Sequence, residues 1–391
     1  MKLSKELVII FAIIITEVLG FSLILPFLPF YAQDLGATAF QVGLILSVFS
    51  IFQFLSAPIM GRLSDHYGRR PLLILSQLST FLGFLVLGLA NTLPLIYLAR
   101  IIDGLFGSNF IIAQAYLSDI STKKDRSKIF GFSGMAFGIG FFIGPAIGGA
   151  LSQISYSLPA FISAGIALIT VFTTYFFLPE TVKKNDKPIQ ITIIDFKAFK
   201  KYFANSKISI RLWQFFLFVS THALWVSAFA LFAERRLQFN AGQVGFLLTY
   251  LGLINILLRG PILPKLIDWM GEYRLLFIGI TFIIISMFLS AFVTQIWLFY
   301  LLMGIFAIGN GISRPLILGE ISRRVSPTEQ GAIMGITGSL GSLSQIFAPL
   351  AGGLIIQYLA PGWLGISAAA IMTIALALML SRSTRFKRLF A

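Results

Sequence analysis

An all-α integral membrane protein of twelve transmembrane helices in two pseudo-symmetric six-helix bundles is predicted by three observations. These are the bulk composition, the one-sided placement of basic residues around twelve apolar stretches, and a repeat that maps the first half of the chain onto the second. Of 391 residues, 57% are hydrophobic and 12% charged, and the mean hydropathy is +0.89. A soluble globule of this size has nowhere to hide so much apolar surface, so lipid is the solvent. A span needs roughly 20 apolar residues, which leaves room for about twelve helices, short loops and little else.

Taken in order, the spans fall at roughly 7 to 30, 41 to 62, 71 to 90, 93 to 118, 129 to 152, 158 to 178, 212 to 233, 242 to 265, 275 to 293, 295 to 319, 331 to 357 and 361 to 381. The apolar run within Met1 to Phe30 is too long for a cleaved signal peptide and continues through proline, so it reads as a retained span 1. No cysteine is present, which removes disulfides, zinc–thiolate sites and thiol catalysis, and histidine occurs at His66 and His222 alone.

The formal charge of +15 would suggest a nucleic-acid partner in a soluble protein. Here placement decides otherwise. About 25 of the 30 Lys and Arg fall on one side: Lys2 and Lys5, Arg69 and Arg70, Lys123 to Lys128, the 183 to 211 stretch, Arg274, Arg323 and Arg324, and Arg382 to Arg388. That side is expected to be the cytoplasm, with both termini inside; the opposite loops hold Arg235 and Arg236. The basic charge is therefore topology and attraction to anionic headgroups, and no nucleic acid is expected.

The polar stretch Pro179 to Arg211 splits the chain into an N-terminal bundle (1–178), a cytoplasmic linker (179–211) and a C-terminal bundle (212–391). Within the linker, IIDFKAFKKYF has the spacing of a short amphipathic helix on the inner leaflet, with a solvated flexible tether as the alternative. The halves repeat about 203 residues apart. QVGLILSVFSIFQFLSAPIMGRLSDHYGRRPLL from Gln41 matches QVGFLLTYLGLINILLRGPILPKLIDWMGEYRLL from Gln243, with Pro58, Asp65 and Gly68 recurring as Pro261, Asp268 and Gly271. GFSGMAFGIGFFIGPAIGG from Gly131 likewise matches GITGSLGSLSQIFAPLAGG from Gly335.

These residues resemble the major facilitator superfamily and, within it, the drug:proton antiporters that include the tetracycline exporters. GRLSDHYGRRP (Gly61 to Pro71) is similar to the family's signature loop between helices 2 and 3, with Gly61, Asp65, Gly68, Arg69 and Arg70 in place. LGFSLILPFLP from Leu19 fits helix 1, Arg100 with Gly104 the helix 4 signature, and LPET at Leu178 to Thr181 the end of helix 6. Gly131, Gly140, Gly144, Pro145, Gly148 and Gly149 reproduce the antiporter signature of helix 5. The resemblance implies two bundles around a central cavity that alternates between inward-open and outward-open states. It implies export of a small apolar or cationic molecule against protons.

The motifs also have a physical reading. Closely spaced glycines on helix 5 strip one face of side chains so that a neighbour can approach, while Pro145 interrupts the local ladder. Asp65 is placed to cap helix 3 or to meet Arg69, and Asp119 is a second partner for the arginines; such a charge relay can gate if its contacts differ between states. Asp268 has no basic residues following it, which suggests that the equivalent latch in the second half has decayed.

Charge inside the hydrocarbon is costly and tolerated mainly where it faces a cavity. Glu17 and Asp103 lie at similar depth on helices 1 and 4 and form the expected proton site, because coupling needs a carboxyl that binds and releases a proton as its surroundings change. In the tetracycline-exporter group an acid, usually Asp, occurs three residues before the glycine that is here Gly20. Glu17 keeps the position and charge with a different side chain. Arg100, three residues before Asp103, either neutralises it statically or lets it go when substrate arrives. His222, Asn109, Gln114, Asn255, Asn310 and Arg314 complete the expected substrate cavity, each also open to a plain helix-joining role; Arg314 faces either a carboxylate or an anionic headgroup.

No G-x-x-x-x-G-K-[ST] sequence is present, so ATP-driven transport by this chain is not expected. Neither catalysis, nor a cofactor, nor a metal is expected. Partners are a small-molecule substrate, protons and the bilayer, with the chain acting as a monomer. A proton-independent facilitator, a sugar or lysolipid exporter on the same fold, and a non-transporting receptor or scaffold are the alternatives.

Overall fold

The computed structural model describes residues 5–121, 126–182, 196–326 and 329–381. Among these, twelve helices are long and apolar enough to cross a membrane: Glu6–Asp34, Ala39–Tyr67, Arg69–Gly88, Leu93–Ile120, Gly134–Ser152, Ser157–Phe177, Ile208–Leu237, Ala241–Gly260, Glu272–Ser290, Ile296–Ser322, Gln330–Tyr358 and Gly362–Leu380. Each overlaps one expected span. Linker residues 183–195 and the basic residues Lys2, Lys123, Lys124 and Arg382 to Arg388 lie outside the described residues.

The helices run α1 (Lys5–Ile24), α2 (Leu28–Asp34), α3 (Ala39–Tyr67), α4 (Arg69–Gly88), α5 (Leu93–Phe106), α6 (Asn109–Ile120), α7 (Arg126–Ser152), α8 (Ser157–Phe177), α9 (Phe196–Ala204), α10 (Ser206–Leu237), α11 (Ala241–Leu257), a π-turn (Leu258–Ile262), α12 (Leu263–Met270), α13 (Glu272–Ser290), α14 (Ile296–Ser322), α15 (Gln330–Tyr358) and α16 (Gly362–Leu380). They pack as two units, Met1–Ile193 with Phe239–Thr249, and Ile194–Gln238 with Tyr250–Ala391.

Local chemistry explains where helices start and break, and the two halves repeat it. Thr38 and Gln41 exchange side-chain and backbone hydrogen bonds in a capping box that starts α3. Asn240 and Gln243 do the same at α11, at 3.0 and 2.9 Å. Gly68 (φ +110°) and Gly271 (φ +76°) then turn the chain into α4 and α13, in a region that L side chains rarely adopt.

Three of the expected spans are discontinuous. Span 1 divides at Leu25 to Phe27, where Pro26 has no N–H to donate and Pro29 starts α2. Span 8 passes through the π-turn, which contains Pro261 and is followed by Pro264. Span 4 breaks at Gly107 and Ser108. Backbone groups freed inside hydrocarbon must find partners. Here Ser76 Oγ donates to Phe106 O at 2.6 Å and accepts from Ser108 N at 2.9 Å, while Gln53 Nε2 donates to Gly107 O at 3.0 Å. These side chains on α3 and α4 hold the break open.

The first unit is filled around Ile10, Ile14, Leu73, Ile112, Tyr116 and Ala136. An aromatic cluster of Trp225, Phe229, Phe232 and Phe299 fills the second, with ring centroids 5.1 to 6.0 Å apart. α9 packs against α10 and α15, burying Tyr202, and Lys201 pairs with Glu329. Phe176, Trp269 and Trp297 stand out from the bundles, as lipid-facing side chains do.

Candidate functional site

In the first unit, Glu17, Arg100, Asp103 and Asn109 converge. Breaking span 4 at Gly107 makes Asn109 the first residue of α6, and its Nδ2 donates both to Glu17 Oε1 at 2.6 Å and to Thr80 Oγ1 at 3.0 Å. The Thr80 hydroxyl, on α4, in turn faces the Asp103 carboxyl. Arg100 Nη1 sits 3.1 Å from Asp103, with side chains 2% and 5% exposed. A continuous polar chain thus runs from Glu17 through Asn109 and Thr80 to Asp103 and Arg100.

Apolar neighbours enclose this chain. The Arg100 guanidinium lies 5.7 Å from the Phe49 ring centroid and 5.6 Å from that of Phe84, and its Nε and Nη2 have no hydrogen-bond partner among the described residues. Gly83 lets α4 approach α5 so closely that a methyl group there would sit 2.7 Å from Asp103 Cβ. Gln114 is half-buried further along α6. Thr80 is absent from the residues picked out by sequence; nothing in its local context marks it, since its role depends on where α4 meets α5 and α6.

At the basic end of the same unit, Arg69 is bound by Asp65 at 2.5 Å and by Asp119 at 2.9 Å, and also donates to Ser64 Oγ at 2.7 Å. Of the two roles open to Asp65, the ion pair is the one found. The α4 N-terminus is capped instead by Glu180, from the LPET segment: its carboxylate accepts from Arg69 N at 2.9 Å and Arg70 N at 3.1 Å, and from Thr181 N and Val182 N at 2.8 and 3.0 Å. Gly68 makes room, because a methyl group there would run into that carboxylate. Arg70 bonds Tyr175 O and lies over the Tyr175 ring. Glu180→Ala is expected to cost about 1 kcal/mol of stability, the usual value of an N-cap, read as a lowered melting temperature of the purified protein.

Asp268 makes no ion pair among the described residues, and a different pair stands beside it. Glu272 follows Gly271 as Arg69 follows Gly68, and it forms a bidentate pair with Arg323, one position beyond the repeat equivalent of Asp119. Its charges are reversed relative to Arg69 and Asp119, with the carboxylate directly after the glycine. Arg211 and Arg324 both hold Glu320 beside it, at 3.0 and 2.8 Å. Glu272→Arg or Arg323→Glu alone is expected to lower stability by about 0.5 kcal/mol, and the double exchange to restore it, because the pair is exposed; a thermal double-mutant cycle measures this.

The helix 5 glycines, on α7, serve close approach. A methyl group at Gly140 would lie 2.9 Å from Ile15 O and Val18 Cβ, one at Gly144 would overlap Ser22, and one at Gly148 would overlap Leu23 O. Ser22 Oγ donates to Gly140 O at 2.9 Å. α7 therefore seats α1 on both sides of Glu17. Gly149 meets Ala241 O and Gly245 at 3.0 Å, and Pro145 O lies against Gly245. Gly131 is on the same helix, whereas a methyl group at Gly61 would meet nothing within 4 Å among the described residues.

In the second unit, Asn310 Nδ2 lies 3.3 Å from His222 Nδ1, and the Phe306 ring stacks on the imidazole with an interplanar angle of 12°. Asn255 donates to Leu251 O at 2.9 Å, and its Oδ1 faces Gly311. Arg314 and Arg259 both lie within electrostatic reach of His222 and of each other. Arg259 was not singled out in the sequence; the RGP within span 8 is the signal that could have found it.

Twelve apolar helices with a buried ion pair and a polar chain on discontinuous spans define a membrane transporter. The chain belongs to the major facilitator superfamily, whose family model matches residues 10–343 and, in a second match, 226–389. It is 29% identical over 369 residues to the class H tetracycline resistance protein of Pasteurella multocida, covering 93% of this chain and 92% of that one. It is 27% identical over 369 residues to multidrug resistance protein 2 of Bacillus subtilis, covering 90% of each. The solved structure of the nucleoside transporter NupG shares the fold, with a TM-score of 0.79 and 14% identity over 95% of this chain and 99% of that one.

Proposed function

We propose that this transporter exports a small, largely apolar molecule in exchange for protons by alternating access, with both termini in the cytoplasm. The observation that carries the reading is the chain Glu17–Asn109–Thr80–Asp103–Arg100, in which Glu17 is half-buried and the other four are buried. Glu17 is the proton-carrying group. Among the described residues it has one neutral hydrogen-bond donor and no arginine of its own, so it can lose and gain a proton without breaking an ion pair. Asp103 is committed to Arg100 and acts through Thr80 and Asn109, which let a change at one acid be felt at the other.

Similarity to tetracycline and multidrug resistance proteins supports a drug-like cargo, and the excess of basic residues on one side supports the orientation. The Asp65–Arg69–Asp119 cluster is the proposed cytoplasmic latch, made in one state and released in the other. The test is uptake by proteoliposomes under pH gradients of either sign, scanning tetracycline, lipophilic cations, neutral drugs, sugars and lysolipids. Accumulation against a concentration gradient, reversing with the sign of the pH gradient, is expected for at least one apolar compound. Downhill movement insensitive to pH would make the chain a facilitator.

A further inference from the structure

We propose that Arg259 and Arg314, with His222 and Asn310 beside them, bind an anionic oxygen group on the transported molecule. The assignment rests on the transporter reading and narrows its substrate to an apolar body bearing a carboxylate, sulfonate or phosphate. Arg69, Arg100, Arg211 and Arg323 each face a carboxylate. Arg259 and Arg314 have neither an ion pair nor a hydrogen bond among the described residues, and no carboxylate among these acts on either guanidinium. Two mutually repelling cations held in apolar spans without a counter-charge are costly unless something anionic joins them.

Their placement is built by the fold. Phe306, Asn310 and Arg314 are spaced four residues apart, so they form one stripe along α14, with His222 of α10 stacked on Phe306 and bonded to Asn310. Arg259 enters from the π-turn, which packs on α14; the wider turn re-aims a side chain that a regular helix would carry round. Gly311 admits Asn255 and Leu258, so the segment just before Arg259 sits directly on α14. Both arginine side chains remain exposed at this surface, open to a ligand. Their forked donors suit a planar or tetrahedral oxyanion, and the Phe306–His222 stack offers an apolar edge beside it.

An anionic lipid headgroup has the same chemistry, so the assay separates the two sources. Full-length protein in nanodiscs of phosphatidylcholine, with and without phosphatidylglycerol, is titrated with three probes of fixed charge: 2-naphthalenesulfonate, 2-naphthamide and N-methylquinolinium. Wild type is expected to bind the sulfonate about tenfold more tightly than the amide or the cation in both lipids, the margin of charge-assisted over neutral hydrogen bonding. Arg259→Gln and Arg314→Gln are each expected to erase that preference, and Arg314→Lys to keep part of it. Both Gln variants should melt no lower than wild type, since each relieves a repulsion; melting curves separate lost binding from lost fold.

Equal affinity for the three probes, or no sulfonate binding, overturns the proposal. If phosphatidylglycerol abolishes the preference in wild type, the site belongs to a headgroup and the assignment to cargo is overturned. Because binding is read without a pH gradient, absence of proton-coupled flux would count against the antiport reading and leave this comparison intact.

Discussion

Glu17→Gln is expected to abolish proton-coupled transport while leaving the protein folded and able to bind its substrate. The amide keeps the Oε1 acceptor that Asn109 Nδ2 reaches at 2.6 Å, and it fills nearly the same volume, so packing around α1 is undisturbed. What it removes is the capacity to take up and release a proton. Loss of a group that moves the proton lowers the coupled rate by about a hundredfold. Asp103→Asn makes the informative contrast, because Arg100 would then be left as a buried cation with no partner. Breaking a buried pair from one side costs about 3 to 5 kcal/mol, so this variant is expected to fall mainly in stability. Flux and melting temperature measured on both variants separate the roles; equal loss of stability in the two would remove the distinction.

Gly148→Val is expected to be the most damaging glycine substitution on α7. Its methyl groups would overlap Leu23 O on α1, a backbone atom that cannot rotate away. Overpacking of this kind costs about 3 kcal/mol, and the strain falls on the helix that carries Glu17. Gly134→Ala is the control on the same helix: nothing among the described residues lies within 4 Å of the added carbon, and alanine gains about 0.5 to 1 kcal/mol of helix propensity. Yield and melting temperature of the purified variants are the readout, and similar behaviour of the two would show that close approach to α1 does not govern α7.

The spans were legible in the sequence because hydrocarbon imposes one requirement on all of them, roughly 20 apolar residues in a row. Glu17 and Asp103 could be placed at similar depth by counting along helices, and Asn109 was named only among the residues of the expected cavity. Their connection could not be read, because it passes through Thr80 and requires the break at Gly107, which exists only where Ser76 and Gln53 from other helices satisfy the freed backbone. Glu180 was hidden for a related reason: it caps a helix that begins 111 residues earlier. The reversed pair Glu272–Arg323 escaped notice because the repeat preserves geometry and not charge. Arg259 lay in a stretch whose π-turn, more than its composition, aims the side chain.

The most direct measurement is proton movement driven by a substrate gradient. Proteoliposomes are loaded with a compound the transporter accumulates, diluted with no pH difference across the membrane, and followed with an internal pH dye in wild type and Glu17→Gln. Protons moving opposite to the substrate in wild type, with no such movement in Glu17→Gln despite retained binding, is the expected result. Substrate leaving wild-type vesicles with no proton movement at all would contradict the central claim.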